Sequence, residues 1–215
     1  MLKKKSILTV AATAVLLLGI SIAGGGTSPV FAATKKQNPQ QIMREIGDKY
    51  KVGEVLSDED AELVKKYAFQ APQKGQTSGV TTYADAQPDN WKVTGSASNS
   101  VFTGSLSGSI YVGLNLWENN FRGTLTTKVT KGTPTSFKSS VQMEAYGLVG
   151  AGGTKIGKVA DFVVTSDWTA SSNSSFTYTF DQPFNASVAY YYVTPKGAVK
   201  NASGTLEIVG TGTKQ

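Results

Sequence analysis

The chain has 215 residues, with 21 basic and 15 acidic side chains, and it contains neither cysteine nor histidine. The missing cysteines exclude disulfides, CxxC redox chemistry and cysteine-ligated clusters, and the missing histidines exclude Ser-His-Asp triads and histidine-ligated zinc. The excess of positive charge is too small and too scattered to indicate nucleic-acid binding, which usually needs a dense basic stripe.

The first 32 residues have the pattern of a secretory signal peptide. Lys3, Lys4 and Lys5 precede an uncharged apolar run, and small or modest side chains at the −3 and −1 positions predict cleavage between Ala32 and Ala33. The run is shorter than the roughly 20 apolar residues of a membrane-spanning helix, so an uncleaved anchor is the weaker alternative. With no cysteine for a lipid and no second apolar run, we expect a secreted, extracellular protein, and the lysine-led signal is typical of Gram-positive bacteria.

Residues 33–70 predict a helical N-terminal segment made of two short helices. Asn38 and Pro39 form an N-cap followed by proline at the first helical position. Ser57 and Asp60 form a capping-box-like pair that opens the second helix, and lysines in its last turn complement the helix dipole. The segment is interpreted as a helical hairpin, and its role as a pro-segment, a docking arm, a spacer or a cap on the following domain stays open.

The composition changes twice after the hairpin. Residues 71–90 are rich in Gln, Thr, Ser, Gly, Ala and Pro, which is typical of a linker. Residues 91–215 contain short stretches that alternate with period two. Nine strands are predicted there: 92–95, 101–107, 109–117, 121–130, 136–148, 155–165, 175–181, 187–194 and 204–209. The sequence Thr194-Pro195-Lys196-Gly197 predicts a type I turn. The pattern indicates an antiparallel β-sandwich or jelly-roll-like domain, with a barrel as the second choice.

The same alternation predicts which side chains face outward. Six outward residues combine aromatic rings with hydrogen-bonding groups: Tyr111, Asn115, Trp117, Arg122, Glu144 and Tyr146. If their strands are neighbours, these residues suit a glycan, because sugar rings stack on aromatic faces while polar side chains bond the hydroxyls. The alternative is that the aromatic residues pack under the helical hairpin or form cross-strand pairs.

Carboxylates are the main acid–base groups that remain, and a glycosidase needs two of them beside the scissile bond. Glu144 lies in the middle of a predicted strand with aromatic neighbours, but the sequence shows no partner carboxylate, so no catalytic residue is assigned. A calcium loop at Asp58 fails, because Leu63 and Phe69 occupy the positions that need glycine and glutamate. We therefore expect neither a metal nor another cofactor.

These observations favour a secreted, non-enzymatic β-sandwich protein that binds a cell-wall or other cell-surface, glycan or protein partner, and no nucleic acid. The first alternative is an antimicrobial or membrane-active pore-forming toxin, because residues 93–116 alternate small polar and apolar side chains as membrane-inserting hairpins do. Membrane contact is expected only in that case. The third hypothesis is a carboxylate-dependent polysaccharide hydrolase.

Overall fold

A computed structural model describes residues 38–71, 88–114, 118–150, 152–171 and 173–215. The predicted signal peptide with its cleavage site at Ala32 and Ala33, and the outward residues Asn115 and Trp117, lie outside the described residues. The chain from Gln37 to Gln215 clusters into one compact unit. In the part of the chain that is described, no helix is long and apolar enough to cross a membrane.

Two helices open the described chain: α1 (Pro39–Lys49) and α2 (Asp58–Tyr67). Their N-caps are those that the sequence predicts. The side chain of Asn38 accepts a hydrogen bond from the backbone N–H of Gln40, and the Ser57 hydroxyl accepts one from the N–H of Asp60. Each cap satisfies a helix N–H that has no partner within its own helix. The predicted pair of short helices is therefore confirmed.

A clasp of hydrogen bonds joins the end of α1 to the start of α2. The carboxylate of Asp60 accepts hydrogen bonds from Lys49 Nζ and from the Tyr50 hydroxyl, both at 2.6 Å. It also accepts one from Ser57 Oγ at 2.9 Å. Burial alone would raise the pKa of Asp60, but the three donors together outweigh burial and hold this pKa below its ordinary value. The ionised carboxylate thus fixes the turn between the helices.

The described residues after α2 form eleven strands in two antiparallel sheets. They are β1 (Phe69–Gln70), β2 (Asp89–Ser98), β3 (Thr103–Gly113), β4 (Asn119–Lys131), β5 (Ser136–Val149), β6 (Lys155–Thr165), β7 (Thr169–Ala170), β8 (Ser175–Phe184), β9 (Tyr190–Asn201), β10 (Gly204–Val209) and β11 (Thr211–Lys214). Sheet A has the order β1-β9-β5-β6, with β10 also on β9 and β7 also on β5, and sheet B has the order β11-β2-β3-β4-β8. The predicted mostly-β sandwich preceded by helices is confirmed.

The two sheets enclose an apolar core. Ile110 and Val112 of β3, Phe121 and Leu125 of β4 and Val141 of β5 are at most 2 % exposed. These are residues that the period-two alternation places inward, because successive side chains of a strand point to opposite faces. The prediction of the inward faces is therefore confirmed for these strands. The outer face of each sheet is the one that points away from the other sheet.

The predicted break between strands 101–107 and 109–117 is wrong, because Thr103–Gly113 is a single strand, β3. Gly108, which separates them in the sequence, pairs with Val93 on β2 and with Leu125 on β4. A Cβ atom at Gly108 would lie 2.0 Å from the carbonyl oxygen of Thr124. The glycine therefore allows a close approach of β4 and does not end the strand.

The predicted type I turn at Thr194-Pro195-Lys196-Gly197 is also wrong, since these residues lie inside β9. The N–H and C=O of one strand residue point to the same edge, and the Pro195 carbonyl accepts from the N–H of Gly210 at 2.8 Å. The missing N–H of Pro195 therefore lies on the edge of β9 that pairs with β1 and β10. Pro195 is between the residues that pair with β1 and those that pair with β10. The Gly210 carbonyl, which an N–H at this position would face, accepts from Gln40 Nε2 at 3.3 Å instead. The proline therefore gives up only one bond at the end of the β9–β10 ladder, and the turn lies instead after Asn201.

The helical hairpin packs on the outer face of sheet A. An apolar cluster holds it there: Ile42, Met43, Ile46, Leu56, Val64, Tyr146 and Tyr192. The segment between the helices also bonds to β6, from Gly53 N to Lys158 O at 2.8 Å and from Leu56 N to Ile156 O at 2.9 Å. At the other end of the hairpin, β1 pairs with β9. The hairpin therefore covers part of one sheet and leaves the outer face of the other sheet uncovered.

Candidate functional site

The outward residues that the sequence singles out fall into two groups. Tyr111 on β3 and Arg122 on β4 are cross-strand partners on the outer face of sheet B. Glu144 and Tyr146 lie on β5 in sheet A and are buried, and Tyr146 belongs to the cluster under the hairpin. The described residues of the set therefore do not share one exposed surface, and each pair forms a site of its own.

A shallow groove crosses sheet B beside Tyr111 and Arg122. One row of cross-strand partners carries large side chains: Asn90, Tyr111, Arg122 and Asp181. The next outward row carries the small side chains of Ser109, Thr124 and Thr179 on β3, β4 and β8, and Lys92 continues this row on β2. This step in side-chain size leaves a recess of about 300 Å³. It spans four strands, or ~14 Å at a strand spacing of ~4.8 Å.

The floor of the groove is backbone, because the residues between the two rows point into the core. Gly123 lies there between Ile110 and Phe180. A Cβ atom at Gly123 would lie 2.4 Å from the carbonyl oxygen of Ser109 and 2.9 Å from the Phe180 ring. Glycine at this position therefore lets β3 and β4 stay close together beneath the recess.

Charges and hydroxyl groups in the groove are held by their neighbours. The guanidinium carbon of Arg122 lies 4.2 Å from the centre of the Tyr111 ring, which is a cation–π contact. Asn120 Nδ2 donates to Asp181 Oδ1 at 2.9 Å, and the hydroxyls of Thr124 and Thr179 lie 3.3 Å apart. The groove thus offers a cation, a carboxylate and several hydroxyls in two adjacent rows.

A second group of polar side chains meets beneath α1. Lys158 Nζ donates to the carbonyl oxygen of Gly47 at 2.7 Å and to the Asp161 carboxylate. The same nitrogen lies 3.7 Å from Glu144 Oε1. Gln142 Nε2 lies 3.4 Å from Glu144 Oε1 and 3.2 Å from Asp161 Oδ1. Two carboxylates therefore lie beside one ammonium and one amide, and the Lys158–Glu144 contact is an ion pair without a hydrogen bond.

Burial dominates the electrostatics of this cluster. Glu144 is 3 % exposed and Lys158 is 1 % exposed. Burial raises the pKa of Glu144 to about 7, and the nearby Lys158 opposes this shift only in part. Burial also raises the pKa of Tyr192 to about 12 and that of Tyr146 well above its ordinary value, with the charge of Glu144 adding to both shifts. Among the described residues, the Tyr146 hydroxyl has no hydrogen-bond partner.

The Glu144 carboxylate touches α1 at a glycine. A Cβ atom at Gly47 would lie only 1.5 Å from Glu144 Oε1, so any larger residue would collide with the carboxylate. Alternation identifies Glu144 and places Gln142, two residues earlier, on the same face, but it does not reveal Gly47, Lys158 or the role of Asp161 as a neighbour. The short apolar stripe of α1 gives no sign that one of its residues faces a charge. Within the described residues, no group of three or more acidic side chains could hold a metal ion.

Comparisons with protein families, with curated proteins and with solved structures find no match for this chain.

Proposed function

We propose that this chain is a secreted, non-enzymatic protein that binds a glycan through the groove on sheet B. The observation that carries the proposal is the pair of half-buried Tyr111 and exposed Arg122 beside a lower row of serine and threonine hydroxyls. Sugar hydroxyls both donate and accept hydrogen bonds, so they match a recess that combines Arg122 as donor with Asp181 as acceptor. The signal-peptide pattern of residues 1–32 supports export.

The composition of the groove favours binding over hydrolysis. Glycoside hydrolysis uses two carboxyl groups that flank the scissile bond. Among the described residues that line the groove, Asp181 is the only carboxylate. The carboxylates of Glu144 and Asp161 belong to sheet A, and α1 covers Glu144. The groove is therefore equipped to hold a saccharide and lacks the pair of groups that would cleave it.

The shape and polarity of the groove favour a glycan over a protein partner. Protein interfaces depend on several buried aromatic or arginine anchors set in an apolar centre. Here the described lining has one tyrosine and one arginine beside serine and threonine side chains, and it lacks a set of several such anchors. A ligand that follows the groove across four strands would be narrow and rich in hydroxyl groups, which describes an oligosaccharide.

Strands β2 and β3, whose alternating residues gave the pattern of a membrane-inserting β-hairpin, are part of sheet B of the sandwich. Val93 of β2 and Leu106, Ile110 and Val112 of β3 are buried in the core between the sheets. Insertion into a lipid bilayer would require these strands to leave sheet B and lose that packing. The binding proposal needs no such rearrangement, and we prefer it for this reason. Dye release from liposomes remains the measurement that would support a toxin.

The test is binding to insoluble chitin, to insoluble cellulose and to a printed glycan array. Tyr111→Ala and Arg122→Gln should each weaken binding by about tenfold or more, because each removes a contact worth at least 1.4 kcal/mol. Trp168→Ala and Lys200→Gln are the matched controls, since Lys200 Nζ also lies 4.2 Å from the Trp168 ring but outside the groove. The proposed site would be refuted if the two groove variants left glycan binding unchanged, or if the two control variants weakened it equally.

A further inference from the structure

The polar cluster beneath α1 places buried charged side chains within an interface that is otherwise apolar. The hairpin is held on sheet A by apolar side chains, with Ile42, Met43 and Ile46 of α1 buried against the sheet. A segment that only had to stay docked would gain nothing from Glu144 and Lys158, because burying charged groups costs free energy that an imperfect pair does not recover. Docking of the hairpin therefore does not explain why Glu144 and Lys158 are buried there.

The cluster is also incompletely satisfied by α1. The Tyr146 hydroxyl is buried and, within the described part of the chain, has no partner. Among the described residues, the polar contacts of the Glu144 carboxylate are long, at 3.4 Å to Gln142 Nε2 and at 3.7 Å to Lys158 Nζ, where a good hydrogen bond is about 2.9 Å. Buried polar groups are normally paired. These side chains are thus arranged for hydrogen bonds that the helix does not supply.

What α1 brings to the cluster is the backbone of one glycine. The carbonyl oxygen of Gly47 accepts a hydrogen bond from Lys158 Nζ at 2.7 Å. The missing side chain of Gly47 leaves the space in which the Glu144 carboxylate lies. The Gly47 carbonyl is thus the hydrogen-bond acceptor that α1 supplies to Lys158.

We propose that this cluster is a second glycan-binding site, and that α1 occupies it within the same chain as an inhibitory segment. Tyr146 and Tyr192 would supply aromatic rings for sugar faces. The hydrogen-bonding groups are those of Gln142, Glu144, Lys158 and Asp161. The inference shares its class of ligand with the proposed function but none of its residues, since the two sites lie on different sheets.

The hairpin can be separated from the sandwich at one stretch of chain. Residues 72–87 connect its end, strand β1, to β2. The described contacts that hold the hairpin are the apolar cluster, the packing of Phe69 and Ala71 against the core between the sheets, and hydrogen bonds to β6, to β9 and to the Gly210 carbonyl. The full-length protein, with a specific protease site inserted between residues 72 and 87, is therefore folded first and cut afterwards. The hairpin is then removed by size exclusion in mild denaturant, and the sandwich is returned to buffer.

The probes are a printed glycan array, insoluble chitin and insoluble cellulose, applied to the cut and the uncut protein. The sandwich without its hairpin should bind a glycan at least about tenfold more tightly than the uncut protein does. Glu144→Gln and Tyr192→Ala should remove the gain. A synthetic peptide of residues 38–71 should suppress it, whereas the same peptide with Gly47→Leu should not.

A whole-chain variant provides a second route to the same result. Met43→Asp with Ile46→Asp puts two charges on the apolar face of α1 and should release the hairpin without any cut. This variant should show the same gain in glycan binding, with Arg44→Asp, which changes an exposed residue of the same helix, as the control.

Three results would overturn the inference. The first is a folded sandwich without its hairpin that binds no glycan more tightly than before. The second is loss of the circular dichroism of the sheets on removal of the hairpin, since the hairpin would then be part of the fold. The third is a gain that Tyr111→Ala abolishes and Glu144→Gln leaves intact, which would assign it to the groove and leave the proposed function standing.

Discussion

Glu144 on β5 lies opposite Asp161 on β6 because a β-bulge shifts the register between these two strands by one residue. Val159 is the extra residue, and it stands between the pairings of Lys158 and Ala160 with β5. Without the bulge, Glu144 would stand opposite Ala160 and Asp161 would point toward the core. The bulge therefore brings the Asp161 carboxylate and the Lys158 ammonium to one face, where they bond.

The buried Glu144 predicts that the protein becomes less stable as the pH rises toward neutrality. Its pKa is about 7 in the folded protein, against 4.5 for an ordinary glutamate, with Lys158 and Asp161 on β6 and Asp48 on α1 facing it. The folded state therefore holds a proton that the unfolded state has lost between these two values. The free energy of unfolding should fall through this window by up to about 3 kcal/mol.

Urea unfolding from about pH 4 to about pH 8 measures this effect. Glu144→Gln should remove the decline and should be more stable than the parent above about pH 7. Glu207→Gln is the control, because Glu207 is an exposed glutamate whose side chain is 58 % accessible, and it should leave the pH dependence unchanged. A decline of the same size in both variants would show that Glu144 is not its source.

Gly47→Ala should destabilise the protein, although alanine is the better helix former by about 1 kcal/mol. The new methyl group would meet the Glu144 carboxylate, and overpacking of this kind costs about 1–3 kcal/mol. Glu144→Ala should rescue the variant, because it removes the atoms in collision. A double-mutant cycle in urea unfolding gives the coupling energy. Additive effects of the two changes would contradict the contact.

Two buried tyrosines should respond in opposite ways to the loss of their hydroxyl groups. The Tyr191 hydroxyl accepts from Trp91 Nε1 at 3.0 Å and donates to Asp89 Oδ2 at 2.5 Å. Tyr191→Phe removes the partner of Trp91 Nε1 and of Asp89 Oδ2, while Asp89 Oδ1 keeps its ion pair with Lys214, and the change should cost about 1–3 kcal/mol. Tyr146→Phe removes a hydroxyl without a partner in the described residues and should be neutral or stabilising. Thermal unfolding of the two variants tests this prediction. Equal losses of stability in Tyr191→Phe and Tyr146→Phe would contradict it.

The signal-peptide pattern predicts a secreted protein that begins at Ala33. Mass spectrometry of the protein from culture medium should show this first residue, and Ala32→Lys should block the cleavage because signal peptidases need a small side chain there. A first residue between 72 and 87 would show that the hairpin is removed after export, which is one way to release an inhibitory segment. Retention of the intact chain in the cells would count against secretion.

Local patterns in the sequence account for much of the fold. Strands Lys155–Thr165 and Gly204–Val209 have the bounds that alternation predicts. The helix caps at Asn38 and Ser57 also follow directly from residue type. These features succeed because a cap or an alternating strand is decided by neighbours within a few residues along the chain.

Features that depend on distant partners are missed. Gly108 and Pro195 suggest chain reversals, yet both lie inside strands because the neighbouring strands tolerate a missing side chain or a missing N–H at those positions. Alternation predicts that Tyr111 and Tyr146 point away from the core. Alternation does not show what packs on these outward faces. The helices cover Tyr146 and leave Tyr111 uncovered.

By itself, the sequence determined the class of the fold, the inward faces, the capped helices and the chemistries that are excluded without cysteine and histidine. Only the tertiary structure decided that Arg122 stacks on Tyr111 beside an open groove, that Asp161 stands opposite Glu144, and that Gly47 covers that carboxylate. The physical reason is that strand pairing, register and the packing of a helix on a sheet depend on contacts between residues far apart in the chain.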